Sequence, residues 1–320
     1  MRSTLATGLF LAVSTALWAQ DYPSKPIRMV VGFPPGGGTD VVARILAPRM
    51  SELLAQPIVI DNRPGATGTV AAGQVAKSPP DGYTLMMGHV SVNAIAPSLF
   101  LNLPYDVLKD FAPIAIAASV PHLVTVHPSM PASSLKDLIG QLKSQPGKLS
   151  FPSAGNGSMP HLAGEIFKSL AGVQMVHVPY KGSGQSMQDL LGGQHLVAFD
   201  TMPASSPHVR SGKLRALAVS SATRVPGLPD VPTAEEAGLA GYVVSTWYGV
   251  FAPAGTPAAI VRRLHADTVK AMQTPDTKSK LEGIGADGTV SRSPEEFAAL
   301  VRADTARYAK IVKDIGLRID

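Results

Sequence analysis

The sequence predicts an α/β fold built largely on parallel strands, and three observations carry that prediction. Short apolar, β-branched runs alternate with segments of helical apolar spacing along nearly the whole chain. The joins 33–39, 61–68, 88–93, 152–158, 180–186 and 200–206, each between an expected strand and an expected helix, are dominated by Gly, Ser, Thr, Asn and Pro. With 320 residues and 45% hydrophobic content, the chain is long enough for one large domain or two ordinary ones around a buried core.

Taken in order, Met1-Arg2, a largely apolar stretch from Leu5 to Leu17 and Trp18-Ala19 read as a secretory signal over residues 1–19, which leaves a soluble, exported mature protein. Ile27 to Phe33 is the first strand. Pro34-Pro35-Gly36-Gly37-Gly38 ends it, because this run can neither extend a strand nor enter a helix interior. Thr39 then offers a capping hydroxyl to a helix that carries Val42, Ile45, Leu46, Met50 and Leu53. Strand, glycine turn and helix N-terminus together form an anion seat: free backbone N–H groups and the positive end of the helix dipole meet where glycine lets a ligand approach closely. A carboxylate suits this seat better than a polyphosphate, since no Lys-Ser or Lys-Thr follows the glycines and the dinucleotide spacing is absent.

The layout then repeats. Pro57 to Ile60 is a strand before the loop at Asp61 to Gly68 and a small-residue helix to Lys77, and Tyr83 to Met87 is a strand before the polar loop Gly88 to Asn93 and a helix from Ala94 to Phe100. Phe111 to Ala118 and His122 to Val126 are two further strands, divided at Ser119-Val120-Pro121, the first candidate crossover between lobes. Ser134 to Asp137 is a capping box that opens a helix to Ser144. Leu149 to Phe151 leads into a second glycine loop, Ser153-Ala154-Gly155-Asn156-Gly157-Ser158, and a helix with Leu162, Ile166, Phe167 and Leu170 on one face. Strands follow at Val173 to Val178, His195 to Phe199 and Leu214 to Ser220. Tyr242 to Phe251 reads as the return crossover. Two helices, Pro257 to Met272 and Pro294 to Ile315, close the chain, the second capped by Ser293 with Glu296 completing a capping box.

Composition excludes several functions. Without cysteine there is no disulfide, thiolate metal site or thiol nucleophile, and the eight histidines have no compact metal-ligand spacing, so neither a metal nor a cofactor is expected. The formal charge of +5 falls to +4 when Arg2 leaves with the signal, and the basic residues are scattered, so no nucleic-acid partner is expected. No G-x-S-x-G elbow, H-E-x-x-H or paired-carboxylate motif is present, and no catalytic residue is assigned. Ser183 between two glycines reads as a turn residue.

In open α/β sheets ligands bind beyond the carboxyl ends of the strands. The joins there carry only Asp61, Arg63, Lys181 and Asp200 as formal charges, so the expected site is a neutral array of donors that captures and releases an acid. His89 either donates to the ligand or serves the local structure. Asp200, at the end of an apolar run, either accepts from a ligand group or caps the next turn. Trp247 and Tyr248 either line the cleft or pack in the core.

The ordered motifs Tyr22-Pro23-Ser24-Lys25-Pro26, Phe33-Pro34-Pro35-Gly36-Gly37-Gly38-Thr39-Asp40, Asn62-Arg63-Pro64-Gly65-Ala66-Thr67-Gly68, Pro79-Pro80-Asp81-Gly82-Tyr83, Gly155-Asn156-Gly157-Ser158, Val178-Pro179-Tyr180-Lys181-Gly182 and Phe251-Ala252-Pro253-Ala254-Gly255-Thr256-Pro257 closely resemble the periplasmic receptors of the tripartite tricarboxylate transporter family, the Bug or TctC-like proteins. The resemblance runs through essentially all of the mature chain. It implies an α/β, two-lobed periplasmic binding-protein fold of type II character that closes like a Venus flytrap, with the ligand cleft between the lobes and hinge crossovers behind it. Lobe one would comprise residues 20–121 and 247–320, and lobe two residues 122–246.

It further implies capture of a small carboxylate and delivery to the large and small membrane subunits of a permease, by a monomer resident in the periplasm. The ligand-binding residues expected on this basis are Phe33, Pro35, Gly36, Gly37 and Thr39 in the first loop and Ala66, Thr67 and Gly68 in the second, joined by His89 and Ser91. From the other lobe come Ser153, Ala154, Asn156, Gly157, Ser158 and Asp200. A dicarboxylate, a tricarboxylate, an aromatic acid and an acidic amino acid all stay open as ligands. An exported enzyme on the same fold, and a receptor that presents an acid to a sensor kinase, are the alternatives.

Overall fold

The computed structural model describes residues 22–286 and 291–317; the signal segment 1–19 lies outside them. The first strand, β1 (Ile27–Val31), runs between β2 (Ile58–Asn62) and β3 (Thr84–His89), parallel to both. Their apolar residues face helix α1 (Gly38–Leu54) on one side and α2 (Thr69–Ala76) on the other.

Beyond β3 the sheet departs from the parallel expectation. Strand β9 (Ser245–Pro253) is antiparallel to β3, and β4 (Phe111–Val126) is antiparallel to β9. The order is therefore β2-β1-β3-β9-β4, a parallel set closed by returning strands. Alternation of strands and helices could not reveal this, because direction depends on where the long connection between residues 126 and 245 brings the chain back.

The two runs expected at 111–118 and 122–126 are one 16-residue strand. Pro113 and Pro121 do not break it: the register shifts between Pro113 and Ala115, and Pro121 lies at the end of the pairing with β9, opposite Ser245. From His122 onward β4 pairs instead with β7 (Val197–Thr201) and β8 (Arg215–Val219), both antiparallel. One strand thus belongs to two sheet regions. His122 is buried at the handover, with Nε2 2.8 Å from Thr246 Oγ1 of β9 and Nδ1 3.3 Å from the Phe199 carbonyl of β7.

The second region adds α4 (Leu135–Ser144), the parallel pair β5 (Ser150–Ser153) and β6 (Val176–Pro179), α5 (Met159–Ala171), α6 (Ser183–Leu191) and α7 (Met202–Arg210). The C-terminal part packs α8 (Ala258–Gln273), α9 (Pro275–Gly283) and α10 (Pro294–Asp314) against the first region. Helix α9 escapes a sequence reading because only Thr277 and Leu281 are buried, too few to show a helical period.

The caps show how local chemistry operates. Ser134 and Asp137 form the reciprocal capping box expected of them. At α1 the cap is Gly37, with no side-chain bond, and Thr39 lies inside the first turn. The carboxylate of Asp40 reaches back instead to accept the Gly36 N–H at 3.0 Å. Glu296 behaves alike, accepting the N–H of Arg292, one residue before the Ser293 cap.

Candidate functional site

The β1–α1 turn and the N-termini of α5 and α7 meet around a cavity of about 20 Å³. That is room for roughly one water-sized group. Phe33, Gly37, Gly38 and Thr39 line it from the turn, His89 from the end of β3, Ala154, Ser158 and Pro160 from the start of α5, and Ser183, Thr201 and Tyr248 complete it.

Sheet register explains why His89 and Tyr248 share this space. They stand directly opposite each other on antiparallel β3 and β9, with ring centroids 5.2 Å apart, and Phe33 packs at 5.2 Å on the other side of the imidazole. His89 Nδ1 accepts the Ser91 N–H at 3.0 Å. A ring nitrogen that accepts carries no proton, so the neutral imidazole holds its hydrogen on Nε2 and offers a donor. Burial, reinforced by the neighbouring His122, pushes the His89 pKa down to about 3. The donor is therefore neutral throughout the ordinary pH range.

Gly38 is required by close approach. A Cβ there would collide with the Tyr248 hydroxyl and lie 3.1 Å from Thr201 Oγ1. Both of these hydroxyl oxygens are buried without a hydrogen-bond partner from the protein, and leaving such a group unsatisfied costs about 1–3 kcal/mol. Two hydroxyls, the His89 Nε2–H and the first turn of a 17-residue helix thus converge on one point. Nothing that lines the cavity carries a formal charge.

The first loop is held from behind. Asp40 is buried and accepts from Gly36 N–H, Arg44 Nε at 2.9 Å and Asn62 Nδ2 at 3.0 Å. Although burial alone raises its pKa, these donors outweigh that and hold the carboxyl below its usual range. Asn62 Nδ2 also donates to the Phe33 carbonyl at 3.0 Å, so strand β2 sets the position of the turn.

Near the cavity, two hydrogen bonds bridge the halves of the molecule. Ser91 Oγ, presented by a single π turn over Ser91–Ile95, accepts the Met159 N–H at 2.7 Å, and Thr67 Oγ1 donates to the Asn156 carbonyl at 2.6 Å. Ala66 and Thr67 adopt left-handed backbone angles, φ 43° and 54°, uncommon for residues with a Cβ. Beyond this bridge lies an outer chamber of about 650 Å³, formed by Pro34, the Pro64–Thr67 loop, Phe100, the Ala154–Asn156 loop and the Pro179–Lys181 segment. Ala154 lines both spaces.

Of the residues expected from sequence, Phe33, Gly37, Thr39, His89, Ala154 and Ser158 line the inner cavity, and Ala66, Thr67, Ala154 and Asn156 the outer chamber. Ser91 joins the two halves. Pro35 and Gly36 stay in the turn, and Gly68, at φ 91°, packs on Val92 and Phe33 behind it. Ser153 is turned inward: its Oγ lies 2.6 Å from His177 Nε2 and accepts the Gly155 N–H at 3.1 Å. Gly157 donates to His161 Nδ1 at 3.1 Å, and the His161 and His177 rings stack with centroids 3.5 Å apart. These side chains and amides stiffen the second loop. Asp200 is buried beside the cavity, where its carboxylate accepts the Thr201 N–H at 2.7 Å and burial raises its pKa. Sequence reading did not assign Gly38, Pro160, Ser183 or Thr201 to the site, and it left Tyr248 open between cleft and core. The one available signal was a tyrosine inside an apolar run, whose hydroxyl needs a partner when buried.

Among the described residues no group of three or more His, Asp or Glu is placed to hold a metal ion, and no helix is long and apolar enough to cross a membrane.

Comparison with known proteins adds an independent line. Residues 42–317 match the family described as tripartite tricarboxylate transporter family receptor. Protein BugT of Bordetella pertussis is 38% identical over 318 residues, 98% of this chain and 97% of BugT. Among solved structures, Rpa4515 of R. palustris with adipate superposes with a TM-score of 0.91 at 39% identity, covering 93% of this chain and all of that one. MatC of Rhodopseudomonas palustris with bound malate gives 0.86 at 37% identity, covering 91% of this chain and 100% of MatC.

Proposed function

Since this chain belongs to the tripartite tricarboxylate transporter family of receptors, a family of solute-binding proteins, we propose that it captures a small carboxylate in the cleft between its two lobes and releases it unchanged. The observation that carries this reading is the inner cavity. Its donors are the His89 Nε2–H, the Thr201 and Tyr248 hydroxyls and the first turn of α1, and no charged side chain lines it. Neutral preorganised donors at a helix N-terminus stabilise an anion without a counter-ion and without committing it to covalent chemistry. Relatives with adipate and with malate bound are in keeping with such a ligand.

In this reading residues 20–121 and 247–320 form lobe one and 122–246 lobe two. The change of partner along β4 at Pro121/His122 and the start of β9 at Ser245 support those boundaries. The protein works as a monomer in the periplasm after removal of residues 1–19, and passes its ligand to the large and small membrane subunits of a tripartite permease.

The test is thermal unfolding of ligand-stripped protein across mono-, di- and tricarboxylates, aromatic acids and amino acids. A ligand at a hundredfold excess over its Kd stabilises by about 2.7 kcal/mol, a shift of several degrees in Tm. The expected result is a shift with at least one acid, recovered intact; no shift with any acid, or consumption of the one that binds, rules the proposal out.

A further inference from the structure

We propose that His122 is a positioning residue for ligand capture: it bonds to the two strands that carry the cavity hydroxyls and so sets Thr201 of one lobe against Tyr248 of the other. The inference rests on the two-lobed receptor reading and deepens it, by naming a residue that does not itself line the cavity.

His122 stands where β4 changes partners. Val120 and Pro121 are the last residues of β4 paired with β9, opposite Thr246 and Ser245, and His122 is the first paired with β7, directly opposite Thr201. Its side chain is fully buried and reaches both neighbours, with Nδ1 3.3 Å from the Phe199 carbonyl of β7 and Nε2 2.8 Å from Thr246 Oγ1 of β9. A carbonyl can only accept, so Nδ1 carries the proton and Nε2 accepts from the Thr246 hydroxyl. Burial pushes the imidazole pKa down to about 4, which keeps this tautomer neutral. The backbone joins the same junction. His122 N–H donates to Ser220 Oγ at 2.8 Å, the Ser220 N–H donates to the His122 carbonyl at 2.9 Å, and Ser220 Oγ donates in turn to the Val244 carbonyl, just before β9.

The period of a strand connects this junction to the site. Side chains two residues apart share a face, so Thr246 and Tyr248 point the same way from β9. On β7 the bonded Phe199 carbonyl lies two residues before Thr201. Strands β7 and β9 are not paired with each other, so the imidazole supplies a link between them that the sheet ladder does not. An apolar side chain of equal size would fill the space without the cost of burying polar atoms. It would not favour one setting of the two strands, because dispersion has no direction, whereas a satisfied buried polar network specifies one arrangement.

The experiment compares wild type with His122→Leu, His122→Gln and Thr246→Val in two readouts. The first is Kd by calorimetry for adipate, malate and the other acids of the unfolding screen, set beside the urea midpoint of the ligand-free protein. Thr246→Val, which keeps the shape and removes the donor, weakens binding by about threefold to tenfold, the size of one net hydrogen bond. His122→Leu weakens it by at least about tenfold, and by less when Thr246→Val is already present, because the two changes remove a shared bond. His122→Gln, whose amide oxygen can stand where Nε2 does, binds within about threefold of wild type. The second readout needs no ligand. The chain has no cysteine, so Lys136→Cys and Arg262→Cys, at exposed positions on α4 and α8, take a pair of spin labels, and His122→Leu broadens the distribution of distances between them. A fall in urea midpoint with Kd unchanged in both His122→Leu and Thr246→Val, or an unbroadened distribution, overturns the inference and leaves the receptor reading standing. If wild type binds no acid at all, the receptor reading falls and the inference with it.

Discussion

Ser91, in the π turn after β3, accepts the N–H of Met159, the first residue of α5, at 2.7 Å. The first turn of a helix has N–H groups with no intrahelical partner, so a hydroxyl from a distant element latches onto a donor that α5 cannot satisfy by itself. Ser91→Ala removes the acceptor and leaves the amide at the interface unpaired. The expected outcome is a rise in Kd of about threefold to tenfold, corresponding to a net hydrogen bond of about 1 kcal/mol, with Tm of the ligand-free protein changed little. Unchanged affinity by calorimetry means the latch does not form part of the bound state.

Gly38 is tolerated only as glycine. The Cβ of Gly38→Ala meets the Tyr248 hydroxyl, the end of a buried side chain that lines the cavity. Overpacking of this kind costs about 1–3 kcal/mol, and it falls on the cavity itself. We expect a lower Tm together with loss of ligand binding, both restored in part when Tyr248→Phe is added. Failure of the second substitution to restore either property contradicts the packing argument.

Tyr248→Phe alone separates stability from recognition. The hydroxyl is buried and has no partner in the protein, so its removal relieves an unsatisfied polar group and raises the stability of the ligand-free protein by up to about 1 kcal/mol, measured by urea unfolding. The same change weakens carboxylate binding by about tenfold. A variant that is destabilised and binds normally assigns the hydroxyl to the core rather than to the ligand.

Acid lowers stability through the buried histidines. Burial depresses His89 to about 3 and His122 to about 4, both below the 6.5 of an unfolded histidine. The unfolded state thus takes up protons first as pH falls. Stability is fully present above about pH 6.5 and declines toward pH 4, with a slope approaching about 1.4 kcal/mol per pH unit for each histidine. Asp200, raised by burial, has the opposite sign and loses stability as pH rises through its own folded value. Urea midpoints at pH 7 and pH 4.5 test the balance, and a midpoint that does not fall at pH 4.5 contradicts it.

How much of this was legible in the sequence depended on range. The turn at Pro34 to Gly38, the capping box at Ser134 and the glycine loop at Ser153 to Ser158 are encoded by neighbouring residues whose backbone preferences act locally, and the structure contains all three as elements. The neutral character of the joins was equally readable, because it is a matter of composition.

Position was not. Thr39 carries the right side chain for a cap, yet Asp40 takes the work because Asn62 and Arg44, from elsewhere in the fold and along the helix, orient its carboxylate. Ser153 looks like a ligand-loop hydroxyl, and His177 claims it. The sequence by itself determined the alternating α/β architecture, the two glycine loops and the absence of a thiol. Tertiary structure alone decided that β9 returns antiparallel beside β3, which sets Tyr248 opposite His89 and brings its hydroxyl, with Thr201, onto Gly38. The physical reason is that register between distant strands is settled by packing of the whole core, whereas a turn is settled by the few dihedral angles of its own residues.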